Sequence, residues 1–164
     1  MKLPPVISVV GKSGVGKTVF LEKLIAELKG RGIRVGTVKH DVHGFEIDQP
    51  GKDSWRHAQA GSDAVVIASS RRVALIKRLD EEMPLDEIVR AYLGDMDLVI
   101  TEGYKSGRKK KIEISRRERS QELVSPVDDL MAIVADQAFD LEVPQFGLED
   151  VGGVADLILE RFLT

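Results

Sequence analysis

Gly11-Lys12-Ser13-Gly14-Val15-Gly16-Lys17-Thr18 lies between the apolar run Val6-Ile7-Ser8-Val9-Val10 and a helical pattern that begins at Lys17. The octapeptide satisfies G-x-x-x-x-G-K-[ST], the Walker A sequence, and a strand before it with a helix after it is the setting in which that spacing has mechanical meaning. Glycines let the chain curl so that successive backbone N–H groups converge on one concave spot, and the positive end of the next helix reinforces it. Phosphate is the anion that fits such a cup. Lys17 is placed to reach the β- and γ-phosphates of a nucleotide, and the Thr18 hydroxyl to ligate the Mg²⁺ that bridges them. A glycine-rich turn that merely caps a helix is the alternative.

After the loop, Phe20, Leu21, Leu24, Ile25 and Leu28 recur at helical spacing, and Gly30 is a natural stop. Arg34 to Lys39 reads as a second strand, and Asp63 to Ser69 with Arg72 to Lys77 as a hairpin. Pro84 opens a further helix bearing Leu85, Ile88, Val89 and Leu93, ended by Gly94. Leu98 to Thr101 and Leu130 to Ala135 fit central strands, and Glu149 to Phe162 a closing helix whose first turn Gly152 and Gly153 weaken. Alternating strands and helices predict an α/β fold: a P-loop NTPase-type three-layer sandwich with helices on both faces of a mostly parallel sheet, mixed because of the hairpin. No repeat or linker interrupts the chain, so one nucleotide-binding domain over residues 1–164 is expected.

Composition narrows the chemistry. Lys and Arg number 24 against 27 Asp and Glu, a net charge of −3, so nothing draws the whole chain to nucleic acid or an anionic membrane. With no cysteine, disulfides, thiolate metal sites and a cysteine nucleophile are excluded. The first apolar run, about five residues, is too short for a signal-peptide core, and no stretch approaches the roughly 18 apolar residues that span a bilayer. The expectation is a soluble, cytoplasmic protein.

Holding Mg²⁺ also takes a carboxylate at the end of a strand beside the phosphate loop. Asp97-Leu98-Val99-Ile100-Thr101-Glu102-Gly103 supplies one: Glu102 closes the apolar run, where open α/β sheets place their ligands, and Gly103 lets the chain turn near the γ-phosphate. A solvated glutamate is the bland alternative for Glu102, and Asp97 reads as structural. The loop from Lys39 to Ser54 carries His40, His43, Asp41, Glu46, Asp48 and Asp53, able to bind a metal, orient a water or grip a polar substrate. His-x-x-His without a third soft ligand is a weak metal signal, and Asp53 with Ser54 reads equally well as the cap of a short helix.

Taken together, the loop Gly11 to Thr18, the strand end Val38-Lys39-His40, Asp48-x-Pro50-Gly51-Lys52-Asp53-Ser54, the turn Ala60-Gly61 and Thr101-Glu102-Gly103-Tyr104-Lys105 resemble the molybdopterin-guanine dinucleotide biosynthesis protein B family, MobB, in order and over most of the chain. That resemblance implies a P-loop fold, a homodimer, GTP binding with Mg²⁺ and feeble hydrolysis. It also implies partnership with the MobA-type guanylyltransferase that joins GMP to molybdopterin, with molybdopterin itself a further candidate ligand. Carried onto this sequence, Gly11, Lys12, Ser13, Gly14, Val15, Gly16, Lys17 and Thr18 hold the phosphates. Thr18 and Glu102 hold the metal, and His40, Asp48, Lys52, Asp53 and Gly103 line the same cleft. Lys17, Glu102 and Asp48 are the candidates for any catalytic role, at most a slow GTPase.

Lys12 resembles the extra signature lysine of the dimeric P-loop class that includes septum-site and metallocentre-assembly NTPases, where it can reach a nucleotide on the partner; an ordinary surface lysine is the alternative. Val19 and Tyr104 stand where the family more often has Thr and Phe, and no N-K-x-D guanine motif occurs. Asp136, after the Leu130 to Val134 run, is the candidate to accept from guanine N1 and N2; the residues alone leave GTP and ATP both open.

One segment stands apart. Lys105, Arg108, Lys109, Lys110, Lys111, Arg116, Arg117 and Arg119 surround Ile112-Glu113-Ile114, whose alternation suggests a strand. It reads by default as a solvated hairpin, or else as a patch for the pterin cofactor, the partner enzyme or phosphates; no interleaved aromatics point to nucleic acid. The rival functions are a small-molecule kinase, with Arg116, Arg117 and Arg119 as its lid, and a metallocentre-assembly GTPase, against which the missing cysteines count.

Overall fold

The computed structural model describes residues 3–105 and 107–163. The chain forms two compact units: one takes the residues up to His40 and from Ile88 onward, the other runs Asp41–Glu87.

The first unit is built on a six-stranded, wholly parallel sheet. Its strands are β1 (Val6–Val10), β2 (Val35–Lys39), β5 (Leu98–Glu102), β6 (Lys110–Ser115), β7 (Leu130–Ala135) and β8 (Gln145–Phe146), in the spatial order β2-β5-β1-β6-β7-β8. One face carries the main core. Ile7 and Val9 of β1, Leu98 and Ile100 of β5, Ile112 and Ile114 of β6 and Val134 of β7 meet Phe20, Leu21, Leu24 and Leu28 of α1 (Lys17–Gly30) and Val154, Ala155 and Ile158 of α4 (Val151–Phe162). Parallel strands buried on both faces must be near-continuously apolar, which is why β1, β5 and β7 stand out in the sequence. On the opposite face, Leu93 and Met96, just after α3 (Leu85–Tyr92), crowd the place where a side chain at Gly36 would sit, and a smaller cluster gathers on Leu130, Ile133 and Ala135.

That opposite face is partly polar, and here the solvated-hairpin reading of the basic segment is corrected. The alternation around Ile112 does mark a strand, but β6 lies directly beside β1, with Lys111 and Glu113 only 1% exposed. Charges survive burial when each is paired or bonded. Lys111 Nζ lies 2.7 Å from Asp129 Oδ2 and donates to Gly107 O at 3.1 Å; the Glu113 carboxylate accepts the backbone N–H of Val124 at 2.6 Å and of Ser125 at 3.0 Å. Beside them the Thr101 hydroxyl donates to Ser8 Oγ at 2.9 Å.

The closing helix begins at Val151, with Asp150 as its cap accepting from the Gly153 N–H at 2.9 Å. Gly153 is more than a weak helix former, because a Cβ there would come within 2.9 Å of the Phe146 ring. Among the described residues no helix is long and apolar enough to cross a membrane.

The second unit contains α2 (Asp53–Gln59) and the antiparallel pair β3 (Ala64–Ala68) and β4 (Val73–Lys77). The predicted hairpin forms, but as a sheet of its own, so the six-stranded sheet contains no antiparallel strand. Val65 is buried, while Val66, Ile67, Val73 and Leu75 are exposed.

Candidate functional site

In the sheet order, β1 is flanked by β5 and β6, while the chain runs from β1 to β2 on one side and from β5 to β6 across to the other. Such a reversal opens a crevice beyond the carboxyl ends of the strands. The loop Gly11 to Gly16 fills that position at the end of β1. Gly11, at φ 151°, is obligatory for two reasons, since a Cβ on it would lie 2.4 Å from Ile114 O of the adjacent strand. Val15 is buried in the core at 2% exposure and pins the loop from below, whereas Ser13 and Gly14 are exposed above it. Gly16, at φ 92°, is the N-cap of α1 and supplies no side chain. The first-turn amides thus have no capping side chain, the arrangement in which a helix N-terminus can receive an anion.

Lys17 folds back over the loop, donating from Nζ to Gly11 O and Lys12 O at 3.0 Å each. Burial holds its ammonium below the usual lysine range of 10.5, and Lys105 and Lys39 push the same way while Glu102 opposes them. Glu102, the last residue of β5, comes to the same place: the Thr18 hydroxyl donates to its Oε1 at 3.0 Å and Lys39 Nζ lies 3.6 Å from that oxygen. A hydroxyl and a carboxylate oxygen side by side next to a lysine form a hard-oxygen donor set suited to Mg²⁺, which takes only one or two protein ligands and completes its shell with water and phosphate. The ion would be held by Thr18 and Glu102. Among the described residues no three His, Asp or Glu side chains gather as a metal cluster, so the weak His-x-x-His signal finds no third ligand.

His40 borders this site. Its N–H donates to Glu102 O at 2.9 Å, and its ring stacks on Tyr104 with centroids 4.6 Å apart. Gly103, at φ 99°, lets β5 turn away beneath it, since a Cβ would strike His40 O at 2.7 Å. Lys12 donates to Ser120 Oγ at 2.7 Å, a contact within its own chain. Asp136 sits at the carboxyl end of β7, where its Oδ1 accepts the Arg117 N–H at 2.8 Å. In the sequence Arg116 stands as one of a charge run and, with Arg117 and Arg119, as a candidate kinase lid. It is part of the loop's surroundings: Arg116 Nε donates to Val15 O at 2.8 Å, and the Arg119 guanidinium lies 3.4 Å from where a Gly14 side chain would start. No local pattern signals this, because the partner carbonyl lies 101 positions away.

Asp48, Lys52 and Asp53 belong to the second unit and line a groove of about 520 Å³ with Ser54, His57 and the strand residues Val65 to Ala68. Lys52 is the N-cap of α2 and makes no side-chain cap bond; Asp53 is the first helical residue, so the capping reading of Asp53 and Ser54 does not hold. One Asp48 oxygen accepts the Gln49 N–H at 2.8 Å, while Oδ2 is buried without a hydrogen-bond partner.

The parallel sheet order, with a glycine-rich loop at the carboxyl end of its central strand, defines an α/β protein of the P-loop NTPase-like fold. The sequence profile described as molybdopterin guanine dinucleotide synthesis protein B, MobB, matches residues 6–136. The chain is 37% identical over 163 residues to the molybdopterin-guanine dinucleotide biosynthesis adapter protein of Escherichia coli K12, covering 95% of this chain and 92% of that one. It is 34% identical over 155 residues to the adapter protein of the same description from Haemophilus influenzae, covering 94% and 87%. A crystal structure of molybdopterin-guanine biosynthesis protein B superposes with a TM-score of 0.74 at 33% identity, over 94% of this chain and 97% of that chain. This chain belongs to the MobB family, and its role lies in molybdopterin guanine dinucleotide biosynthesis.

Proposed function

We propose that the chain binds GTP with Mg²⁺ and serves as an adapter to the guanylyltransferase that attaches GMP to molybdopterin. The observation that carries this reading is the convergence of Lys17, Thr18 and Glu102 at the mouth of the glycine-rich loop. In it, the loop amides and Lys17 bind the β- and γ-phosphates, and the Thr18 and Glu102 oxygens hold the metal that offsets their charge. Lys17 exchanges two backbone carbonyls for phosphate oxygens, a stronger, charge-assisted partner. Asp136 accepts from the guanine edge through the carboxylate oxygen that Arg117 leaves over.

Hydrolysis in this reading is slow. Fast GTPases orient a water and add a positive charge at the transition state. Arg116, whose side chain reaches the loop backbone, is committed to Val15 O, and that engagement also weighs against the kinase reading, in which the same arginine would close as a lid.

The second unit supplies the rest. Phe45, Ile47, Val66, Ile67 and Val73 are all exposed, more apolar surface than a short segment leaves bare without a partner, and this supports a homodimer. The buried, unpartnered Oδ2 of Asp48 asks for a donor, and the amino and ring N–H groups of a pterin offer two, so the groove is the site assigned to molybdopterin. The working location is the cytoplasm, where GTP and reduced pterins coexist. Calorimetric titration with GTP and with ATP, each with and without Mg²⁺, tests the nucleotide assignment: tighter, Mg²⁺-dependent binding of GTP supports it, and equal or tighter binding of ATP overturns the guanine preference.

A further inference from the structure

Three contacts join the glycine-rich loop to the turn that follows β6. Arg116 Nε donates to Val15 O at 2.8 Å, Lys12 Nζ donates to Ser120 Oγ at 2.7 Å, and the Arg119 guanidinium packs against Gly14. The turn is itself fixed. Its Arg119 and Ser120 N–H groups bond back to Arg116 O at 2.9 and 3.0 Å, the Arg117 N–H bonds Asp136 at 2.8 Å, and Gln137 Nε2 bridges Ser115 Oγ at 3.1 Å and Ser120 O at 2.8 Å. All of these residues belong to the first unit.

The Val15 contact has a directional consequence. No peptide bond among the described residues is cis, so the C=O of Val15 and the N–H of Gly16, which share one planar unit, point opposite ways. A guanidinium drawing the carbonyl outward therefore turns the Gly16 N–H toward the side where the loop's amides converge, and polarises it as a donor. Gly16, at φ 92°, has no side chain to hold this orientation by itself. We propose that Arg116 is a positioning residue for nucleotide binding: from behind the loop, without touching phosphate, it fixes the peptide plane between Val15 and Gly16 in the orientation that receives a phosphate oxygen. This rests on the reading of the loop as the nucleotide site. The effect is preorganisation, in which ordering that would otherwise accompany binding is already complete.

The test uses the full chain, with Arg116→Ala, with the neighbouring exposed Arg117→Ala, which keeps the backbone N–H that Asp136 accepts, as a control for net charge, and with Lys17→Ala as a control for the site. Three quantities are measured: GTP affinity with Mg²⁺ by calorimetry, amide hydrogen exchange without nucleotide, and Tm. Arg116→Ala is expected to weaken GTP roughly tenfold, the factor equivalent to one charge-assisted hydrogen bond, and Arg117→Ala to leave it unchanged. Exchange should quicken at Gly14 to Gly16 while the strand amides of β1 and β6 keep their protection, a local signature that general destabilisation does not give. Unchanged affinity in Arg116→Ala beside lost affinity in Lys17→Ala overturns the positioning role and leaves the nucleotide site standing. Equal weakening by Arg116→Ala and Arg117→Ala reduces the effect to net charge and overturns it as well. If the unaltered chain fails to bind GTP, both readings fall together.

Discussion

Thr18 Oγ1 and Glu102 Oε1 lie 3.0 Å apart although 84 positions separate them in the chain. The parallel pairing of β1 with β5 aligns Val9 with Glu102, so the strand that feeds the loop and the strand that ends in the acid reach the same edge. That bond is the form the pair takes when the two oxygens face each other directly; both are ligand types for Mg²⁺. Thr18→Ala is predicted to remove most of the Mg²⁺ enhancement of GTP affinity, roughly tenfold, while affinity measured in excess chelator stays the same. Titration in both conditions checks it; a loss of equal size without the metal contradicts the ligand role.

Lys17 gives a pH prediction. Burial already sets its ammonium below 10.5, and Glu102 supports the charged form. GTP affinity should therefore fall as pH rises toward 10.5, earlier than an ordinary lysine would dictate. In Glu102→Gln the fall should begin at still lower pH, because the supporting carboxylate is gone. Affinity profiles of the two proteins, measured without Mg²⁺ so that metal ligation does not intrude, decide it; coincident alkaline limbs contradict the coupling.

Arg34 and Asp97 form a second pH-sensitive pair, at the opposite end of β5. Arg34 donates to Asp97 from its N–H at 2.8 Å, from Nε at 3.2 Å and from Nη2 at 2.8 Å, and these bonds bring the Asp97 carboxyl down from 3.8 to about 2. A depressed carboxylate contributes stability that is fully present above its unfolded pKa, 3.8, and is lost as pH falls through about 2. Asp97→Asn should flatten the part of the acid-denaturation curve that lies in this window and lower Tm at neutral pH by a correspondingly small amount, as the pair is solvent-exposed and screened. An unchanged acid limb contradicts the assignment.

In the second unit, Asp48→Asn replaces an acceptor that has one oxygen buried without a partner. If the groove receives a pterin, the variant should bind a reduced pterin roughly tenfold more weakly, because its amide nitrogen can present a donor where the pterin needs an acceptor. Equal pterin affinity in the two proteins, followed by fluorescence, contradicts the assignment of the groove.

The parts of this fold that are legible in the sequence are those where local pattern and tertiary role agree. β1, the glycine-rich loop and α1 announce themselves because an apolar run, a curled turn and a helical stripe follow one another without a break. Glu102 is legible because a charge directly after an apolar run must surface at a sheet edge. β6 is harder: its alternating Lys111 and Glu113 imitate a half-solvated strand, and only Asp129 and the amides of Val124 and Ser125 explain how both charges are buried. β8, with two residues after Pro144, carries no periodicity to read. The hairpin misleads in the other direction, since its valines and isoleucines have the composition of a core strand and yet several lie exposed. Arg116 cannot be singled out from Arg117 and Arg119 by sequence, because what distinguishes it is a carbonyl 101 positions earlier.

If the loop from Gly11 to Thr18 grips a nucleoside triphosphate, equilibrium binding of GTP with Mg²⁺ to the full chain must depend on Lys17, and the comparison is with Lys17→Ala. Saturable one-to-one binding by the unaltered chain, weakened roughly 10- to 100-fold by the substitution, is the predicted result for loss of a charge-assisted phosphate contact. Equal affinity in the two proteins, or none in the first, would contradict it.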